Sequence, residues 1–473
     1  MFAPQFRPLT LKKFEKNIFR FFRNLQSTNF SSASFSKKFN FESENVLERF
    51  IIDRIRSTGP ISVLEYMKLC VSSQYGYYAQ KAKIFGDGEG DFITSPELTQ
   101  VFGELIGAWL LNELHMTGWK GPWNLVELGP GSGALMVDVL NVLNKLKSDN
   151  KLNVYLIEKS GQLIKQQKQI FEQQLLNKQI SINWFDSIED IPEGFTIFIS
   201  NEFFDALPIH QFVRNKEKPN IWQEVYIQLT SSNGSVEIDE EDGQILTKKH
   251  LCFGLSPGEN IHTRAYIPQH IRNDLSRTKW EYSPLATKIT LEMIKKFTTN
   301  GGFALIIDYG HNGDRKTHSL RAYSNHSIVD PLDCPGRVDL TADVDFGEIK
   351  RVIEGKCLNF GPVEQRQFLT QLGLIHRLDY LLRKSTTTEQ REALLNSCNI
   401  LVSDAEMGAR FKQREALLNS CNILVSDAEM GARFKVFSLF PNTLSEIIKA
   451  RGGIPGGFAS PLPYLEDEDL IND

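Results

Sequence analysis

The chain has 473 residues, enough for one large or two ordinary domains with substantial cores. Its 41% hydrophobic and 23% charged content is that of a soluble globular protein, and no apolar run approaches the roughly 18 residues that a membrane span requires. The net charge is −5, but the first 38 residues carry +7 and the remainder −12, which disfavours a nucleic-acid backbone and suits a basic polypeptide partner.

Residues 1–40 read as a mitochondrial transit peptide. Eight Lys or Arg stand against the single acid Glu15 in the first 38 residues, and Phe14, Ile18, Phe21, Phe22 and Leu25 recur at helical spacing between them. A Ser-rich stretch follows from Ser27 to Ser36, and no unbroken apolar segment suggests a secretory signal. The compartment implied is the mitochondrial matrix, where the six scattered cysteines would stay reduced.

Residues 41–122 form an N-terminal helical region. Val46 to Val71 reads as two helices broken at Gly59-Pro60, and Thr94-Ser95-Pro96-Glu97 carries the start signals of another. Between them, Asp87, Glu89 and Asp91 have the spacing of calcium ligands. Phe92 stands where such a loop needs glycine and Leu98 where it needs a bidentate Glu, so no calcium site is expected.

From Trp123 the pattern alternates, with strands expected at 123–128, 153–158, 181–185, 195–200 and 302–308, and a helix at 286–299 closed by Asn300-Gly301-Gly302. Such alternation predicts an α/β fold with a mainly parallel sheet covered by helices on both faces. The core is split into 123–212 and 286–473 by a strand-rich substrate element at 213–285, with strand-like runs at Trp222 to Leu229 and His250 to Gly254. Leu340 to Lys384 reads as helix and Val436 to Phe440 as a late strand. Gln390 to Lys412 is repeated without change as Gln413 to Lys435, a tandem duplication over 390–435. Its 23-residue unit is not a whole number of helical turns, so one copy is expected in the native packing site and the other outside it.

The stretch LVELGPGSGALMVDVL, 125–140, carries the most information. An apolar strand ends in Glu127, then Gly129, Gly131 and Gly133 turn the chain into a helix with no side chains to keep a ligand off the backbone amides. The next strand, NVYLIE, ends in Glu158, well placed for two ribose hydroxyls. Together they describe a nucleoside-cofactor pocket. Read to Ala134, the loop also fits the dinucleotide pattern G-x-G-x-x-A, but that pattern receives a pyrophosphate, which Glu127 would repel. A carboxylate there suits the sulfonium and amino groups of S-adenosylmethionine. Trp184, Phe185 and Asp186, ending the third strand, are candidates to pack on adenine and accept from its amino group.

After the fourth strand comes NEFFDALPIHQF, 201–212, in the position that borders a transferable methyl group. Asn201, Glu202 and Asp205 are the candidate catalytic residues. A carboxylate pair can clamp a guanidinium, which is a poor nucleophile, and draw its charge away from the reacting nitrogen. The competing reading is that these groups cap a helix or pair locally. An enzyme acting on nucleobase amines usually has two prolines here, where this chain has Glu202-Phe203. His311, His318 and His326 lie in a loop-like region without partners at metal spacing, and no metal site is expected.

With these residues in view, the chain resembles the MidA-like mitochondrial protein arginine methyltransferases, respiratory complex I assembly factors of the class I S-adenosylmethionine-dependent group. The strings that carry the likeness are GDGEGDFITSPELTQVFGELIG (86–107), LVELGPGSG (125–133), NEFFDALPIHQF (201–212), LIIDYGH (305–311) and LTADVDF (340–346). The resemblance implies a Rossmann-like sheet with an N-terminal helical region and inserted substrate-side elements. It implies S-adenosylmethionine held by Gly129, Gly131, Gly133 and Glu158, and type II, symmetric dimethylation of an arginine on a core complex I subunit. A cofactor-binding assembly chaperone and an NAD-dependent oxidoreductase are the competing readings. Asp308-Tyr309, at the end of the fifth strand, either lines the substrate cleft or supports it.

Overall fold

The computed structural model describes residues 45–80, 94–146, 151–175, 180–230, 236–238, 245–248, 250–324, 327–388, 390–395 and 430–459. The expected transit peptide, the glycine-rich loop at 86–91 and the centre of the duplication lie outside these residues.

Eight strands build the central sheet: β1 Trp123–Leu128, β2 Leu152–Ile157, β3 Ser181–Phe185, β4 Phe195–Asn201, β5 Gly302–His311, β6 Leu358–Glu364, β7 Phe434–Phe440 and the short Val344–Asp345, which pairs with the end of β5. Strands β1 to β7 lie in the order β3-β2-β1-β4-β5-β7-β6. Strands β1 to β5 pair in parallel, and β7 runs antiparallel to both its neighbours. Every residue of β1 and β4 is buried, which is why both read as continuous apolar runs rather than alternating ones. Helices Gln100–Met116 and Ala134–Lys145 cover one face, where Phe102, Ile106, Leu135 and Val139 meet Leu125, Ile197 and Leu305. Helices Pro284–Asn300 and Phe346–Ile353 cover the other, where Met293, Phe297 and Ile349 meet Val126, Phe198 and Ile306. The strand order reverses between β1 and β4, so a crevice is expected beyond their carboxyl ends.

A second, antiparallel sheet grows from the loop after β4. It comprises His210–Arg214, Trp222–Leu229, Leu251–Leu255, Lys279–Tyr282 and the short Ile61–Ser62. Helices Val46–Thr58 and Val63–Ser72 pack on it, so that Leu47, Ile51, Met67, Ile209, Ile227 and Leu340 share one core. Helices Val46–Thr58 and Val63–Ser72 and the inserted strands are therefore packed as one unit.

Two local expectations need correction, and two strands were not expected. Leu340 to Lys384 is not all helix: it contains edge strand β6, whose LNFGPVE sequence has no alternation and whose residues are all half-buried. The helix expected from Thr94 is two, Ser95–Leu98 and Gln100–Met116, parted at Thr99, whose extended backbone and hydroxyl cap the second. His210–Arg214 and Lys279–Tyr282, too polar to stand out, are paired strands. The duplication contributes residues 390–395 from its first copy and 430–435 from its second, and β7 begins within the second at Phe434.

Candidate active site

The chain leaves β1 through a turn whose three glycines all have left-handed φ: 62° at Gly129, 53° at Gly131 and 82° at Gly133. These are values that only glycine adopts freely, and they turn the strand into helix Ala134–Lys145 with Gly133 as its cap. At Gly129 space is limiting too, since a Cβ there would stand 2.5 Å from Phe203 Cδ2.

Glu127, the penultimate residue of β1, is 2% exposed. Burial pushes its carboxyl up to about 8. Its Oε2 is buried without a hydrogen-bond partner, and so is Oδ1 of Asn201. The register aligns Glu127 with Ile199 on β4, which puts Glu127 and Asn201 on the same face of the sheet. Buried polar atoms without partners are rare in folded proteins. Two of them at the switch point fit a ligand that brings hydrogen-bond donors and positive charge.

Glu158 follows β2 directly. Its backbone N–H donates to Phe185 O and its Oε1 accepts from Ser160 N at 2.8 Å. Burial raises its carboxyl, partly offset by bonds from the Ser160 backbone and the Gln167 side chain. Gln167 is a residue the sequence did not flag. Fully buried, it donates to Gly131 O at 2.8 Å and to Glu158 Oε2 at 3.4 Å, and accepts from Trp184 Nε1 at 2.7 Å. One amide thus ties the glycine turn, the ribose candidate and β3 together. Trp184 turns its indole toward Gln167 and Phe171, while Asp186 is exposed at the end of β3. The Ser160 hydroxyl donates to Tyr78 O at 3.0 Å, so the short helix Tyr77–Gln80 sits beside the pocket.

Across the crevice, Glu202 adopts φ 53°, uncommon for a residue with a side chain. Its backbone N–H donates to Ile307 O, and its Oε1 accepts from Ser95 N at 2.8 Å and Asn201 Nδ2 at 3.1 Å. Burial, with the negative charge of Asp205 nearby, pushes this carboxyl up to about 8 despite those bonds. Backbone strain of this kind gathers where a side chain must be aimed. Asp205 is 6% exposed, and burial pushes it up to about 6 against the pull of Arg321. Arg321 pairs with Asp343 and lies over the Tyr309 ring at 5.3 Å.

Asp308 settles its own role. Completely buried, its Oδ2 accepts from the backbone N–H groups of Phe203, Phe204 and Asp205 at 3.1, 2.8 and 3.3 Å, and its Oδ1 from Tyr309 N. It holds the shape of the 202–205 turn rather than facing the cleft. Of the residues expected from sequence, Glu127, Gly129, Gly131, Gly133 and Glu158 stand at or just beyond the carboxyl ends of β1 and β2, Asn201, Glu202 and Asp205 at and beyond that of β4, and Asp186 just beyond β3. Ser95, Gln167 and Arg321 are additions that only the tertiary structure brings to these residues.

A family profile described as S-adenosyl-L-methionine-dependent methyltransferase matches residues 105–363. The chain belongs to this family. The mitochondrial protein arginine methyltransferase NDUFAF7 homolog of Caenorhabditis elegans is 45% identical over 444 residues, covering 90% of this chain and 93% of that one. The mitochondrial protein arginine methyltransferase NDUFAF7 of Homo sapiens is 36% identical over 383 residues, covering 77% and 81%. Among solved structures, a superfamily member from Burkholderia thailandensis bound to S-adenosylhomocysteine superposes with TM-score 0.62 at 22% identity, covering 83% of this chain and 91% of that one. That likeness supports the same fold. The family's cofactor is S-adenosylmethionine, and the glycine turn, the two ligand-free buried oxygens and Glu158 are chemically suited to it.

Proposed function

We propose that this chain transfers methyl groups from S-adenosylmethionine to an arginine of a protein, with symmetric dimethylation as the product and a core subunit of respiratory complex I in the mitochondrial matrix as the substrate. The observation that carries the reading is Glu202. It is a carboxylate held at a strained backbone position by Ser95 and Asn201, next to Phe203, which stands against the glycine turn. The names of the curated relatives, mitochondrial protein arginine methyltransferases, support the arginine and the organelle.

In this reading Glu127 accepts from the amino group of the cofactor's methionine end and faces its positive charge. Glu158 accepts from the ribose, Gly129, Gly131 and Gly133 leave room for close approach, and Asp186 accepts from the adenine amino group. S-adenosylmethionine supplies an electrophilic methyl carbon. Glu202 contacts the substrate guanidinium through Oε2, the oxygen not used by Ser95 and Asn201. Asn201 fixes that carboxylate, and Asp205 adds a second negative charge behind it, already balanced in part by Arg321. Positioning and charge complementarity supply the acceleration, because guanidinium is a weak nucleophile and needs orientation more than proton removal at the start.

Mapping methylated arginines by mass spectrometry on mitochondrial proteins, from cells with the wild-type chain and with Glu202→Gln, tests this. A symmetric dimethylarginine on a complex I subunit should depend on the wild type. An unchanged map with Glu202→Gln refutes the clamp, and loss of assembly without loss of any methyl mark favours a cofactor-binding chaperone.

A further inference from the structure

Outside the crevice, two histidines and a glutamate converge where nothing so far assigns a role. His210 opens the strand His210–Arg214, Glu224 lies on the antiparallel neighbour Trp222–Leu229, and His262 is the second residue of helix Ile261–Tyr266. The register pairs Phe212 with Glu224, so His210, two residues from Phe212, projects from the same sheet face as Glu224. His210 Nδ1 is 2.6 Å from Glu224 Oε1, and His262 Nδ1 is 2.9 Å from Oε2 and 3.1 Å from Oε1. The ligating atoms of all three lie within 4.8 Å of one another.

We propose that His210, Glu224 and His262 bind one divalent first-row transition ion, zinc in the first instance. Glu224 is completely buried, and among the described residues its ion-pair partners are the two imidazoles, with no Lys or Arg. Two imidazoles and one carboxylate are the donor set of three-ligand zinc sites. With metal–ligand bonds of about 2.0–2.2 Å, tetrahedral ligands stand roughly 3.3 Å apart, so His210 and Glu224 would have to part by somewhat over half an ångström and His262 and Glu224 by less. Each imidazole then carries its proton on Nε2.

The surroundings are those of a metal site. Asn260 caps the helix through Thr263 N and donates to Glu224 Oε2 at 2.5 Å, orienting the carboxylate as outer-shell partners do. Tyr266 stacks on His210 at 5.2 Å, giving an apolar wall. The His262 side chain is 38% exposed, which provides an entry path and leaves a fourth position to water. An ion here would fasten helix Ile261–Tyr266 to the inserted sheet, a few residues along the chain from Asp205. Sequence spacing conceals the set, because its members are 14 and 38 residues apart on three elements.

The test uses the full chain, stripped with a chelator and then titrated with zinc or cobalt(II). One ion per chain by elemental mass spectrometry, with visible ligand-field bands for cobalt, is expected. His262→Ala should weaken binding by at least about 100-fold, more than outer-shell losses do, with circular dichroism and S-adenosylmethionine binding unchanged. His262→Cys should retain the ion and add a thiolate-to-cobalt charge-transfer band, whereas substitution of the exposed His270 by Ala should change nothing. Substoichiometric binding to the wild type, or binding by His262→Ala equal to wild type, overturns the proposal and leaves the cluster a hydrogen-bonded one.

Discussion

Replacing Glu127 by Gln should stabilise the free protein and weaken its hold on the cofactor at the same time. Burial raises the carboxyl from 4.5 to about 8. The folded-state value lies above the unfolded one, so the folded chain holds the proton more tightly and stability falls as pH rises from 4.5 to about 8. At about 1.36 kcal/mol per unit, ionised Glu127 costs at most about 5 kcal/mol at pH 9 and almost nothing below pH 4.5. Gln keeps the shape and cannot ionise. Urea unfolding without ligand should therefore show the variant more stable than wild type at pH 9, with the difference shrinking toward zero near pH 4. Calorimetry with S-adenosylmethionine should show the opposite preference. Losing a hydrogen bond to a charged acceptor costs roughly 1.5–3 kcal/mol, or about 10- to 150-fold in affinity. Wild-type binding should also strengthen as pH rises through 8 and release up to one proton, and the variant's should not. Equal pH slopes of stability, or equal affinities, would remove Glu127 from the site.

Methyl transfer by the wild type should rise with pH through about 8, because Glu202 is protonated below that value and a neutral acid cannot pair with guanidinium. With Glu202→Gln, the rate should drop by about 100-fold or more and lose this dependence, while S-adenosylmethionine affinity stays within a few-fold. Asp308→Asn keeps one oxygen to accept from the 203–205 amides but turns an NH2 toward Tyr309 N–H, so it should cost stability, though less than removal of both acceptors. Asp308→Ala, which leaves those amides without an acceptor, should lower stability by about 1–3 kcal/mol in thermal unfolding. Gly129→Ala puts a Cβ against Phe203 and a side chain at φ 62°, so cofactor binding measured by calorimetry should be lost. Adding Phe203→Leu should restore only part of it, because the backbone strain remains. Deleting residues 413–435 leaves 407–412 in the place of the identical 430–435, and the shortened chain should unfold at the same or a higher urea concentration than its parent.

The parallel strands were legible because they are buried on both faces and so spell unbroken apolar runs, as TIFIS does within β4. The turn after β1 was legible for a related reason: the acid near the strand end and the three left-handed glycines are contiguous in sequence, and their geometry is local. Strand β6 was not legible, because an edge strand containing Gly361 and Pro362 has neither apolar continuity nor alternation. The strands His210–Arg214 and Lys279–Tyr282 hid behind polar residues that pair only in three dimensions. Gln167 sits mid-helix in a run of glutamines, and nothing local distinguishes it from its solvent-facing neighbours. Ser95 reaches Glu202 across 107 residues. Such contacts belong to the topology, which composition and periodicity do not encode.

Whether Glu127, the glycine turn and Glu158 hold the cofactor is decided by a crystal structure with S-adenosylmethionine or its demethylated product. The ribose hydroxyls should lie on Glu158, the methionine amino group within hydrogen-bond distance of Glu127, and the glycine turn against the ligand. A ligand seated elsewhere, or one that leaves the Glu127 carboxylate without a contact, would contradict this placement.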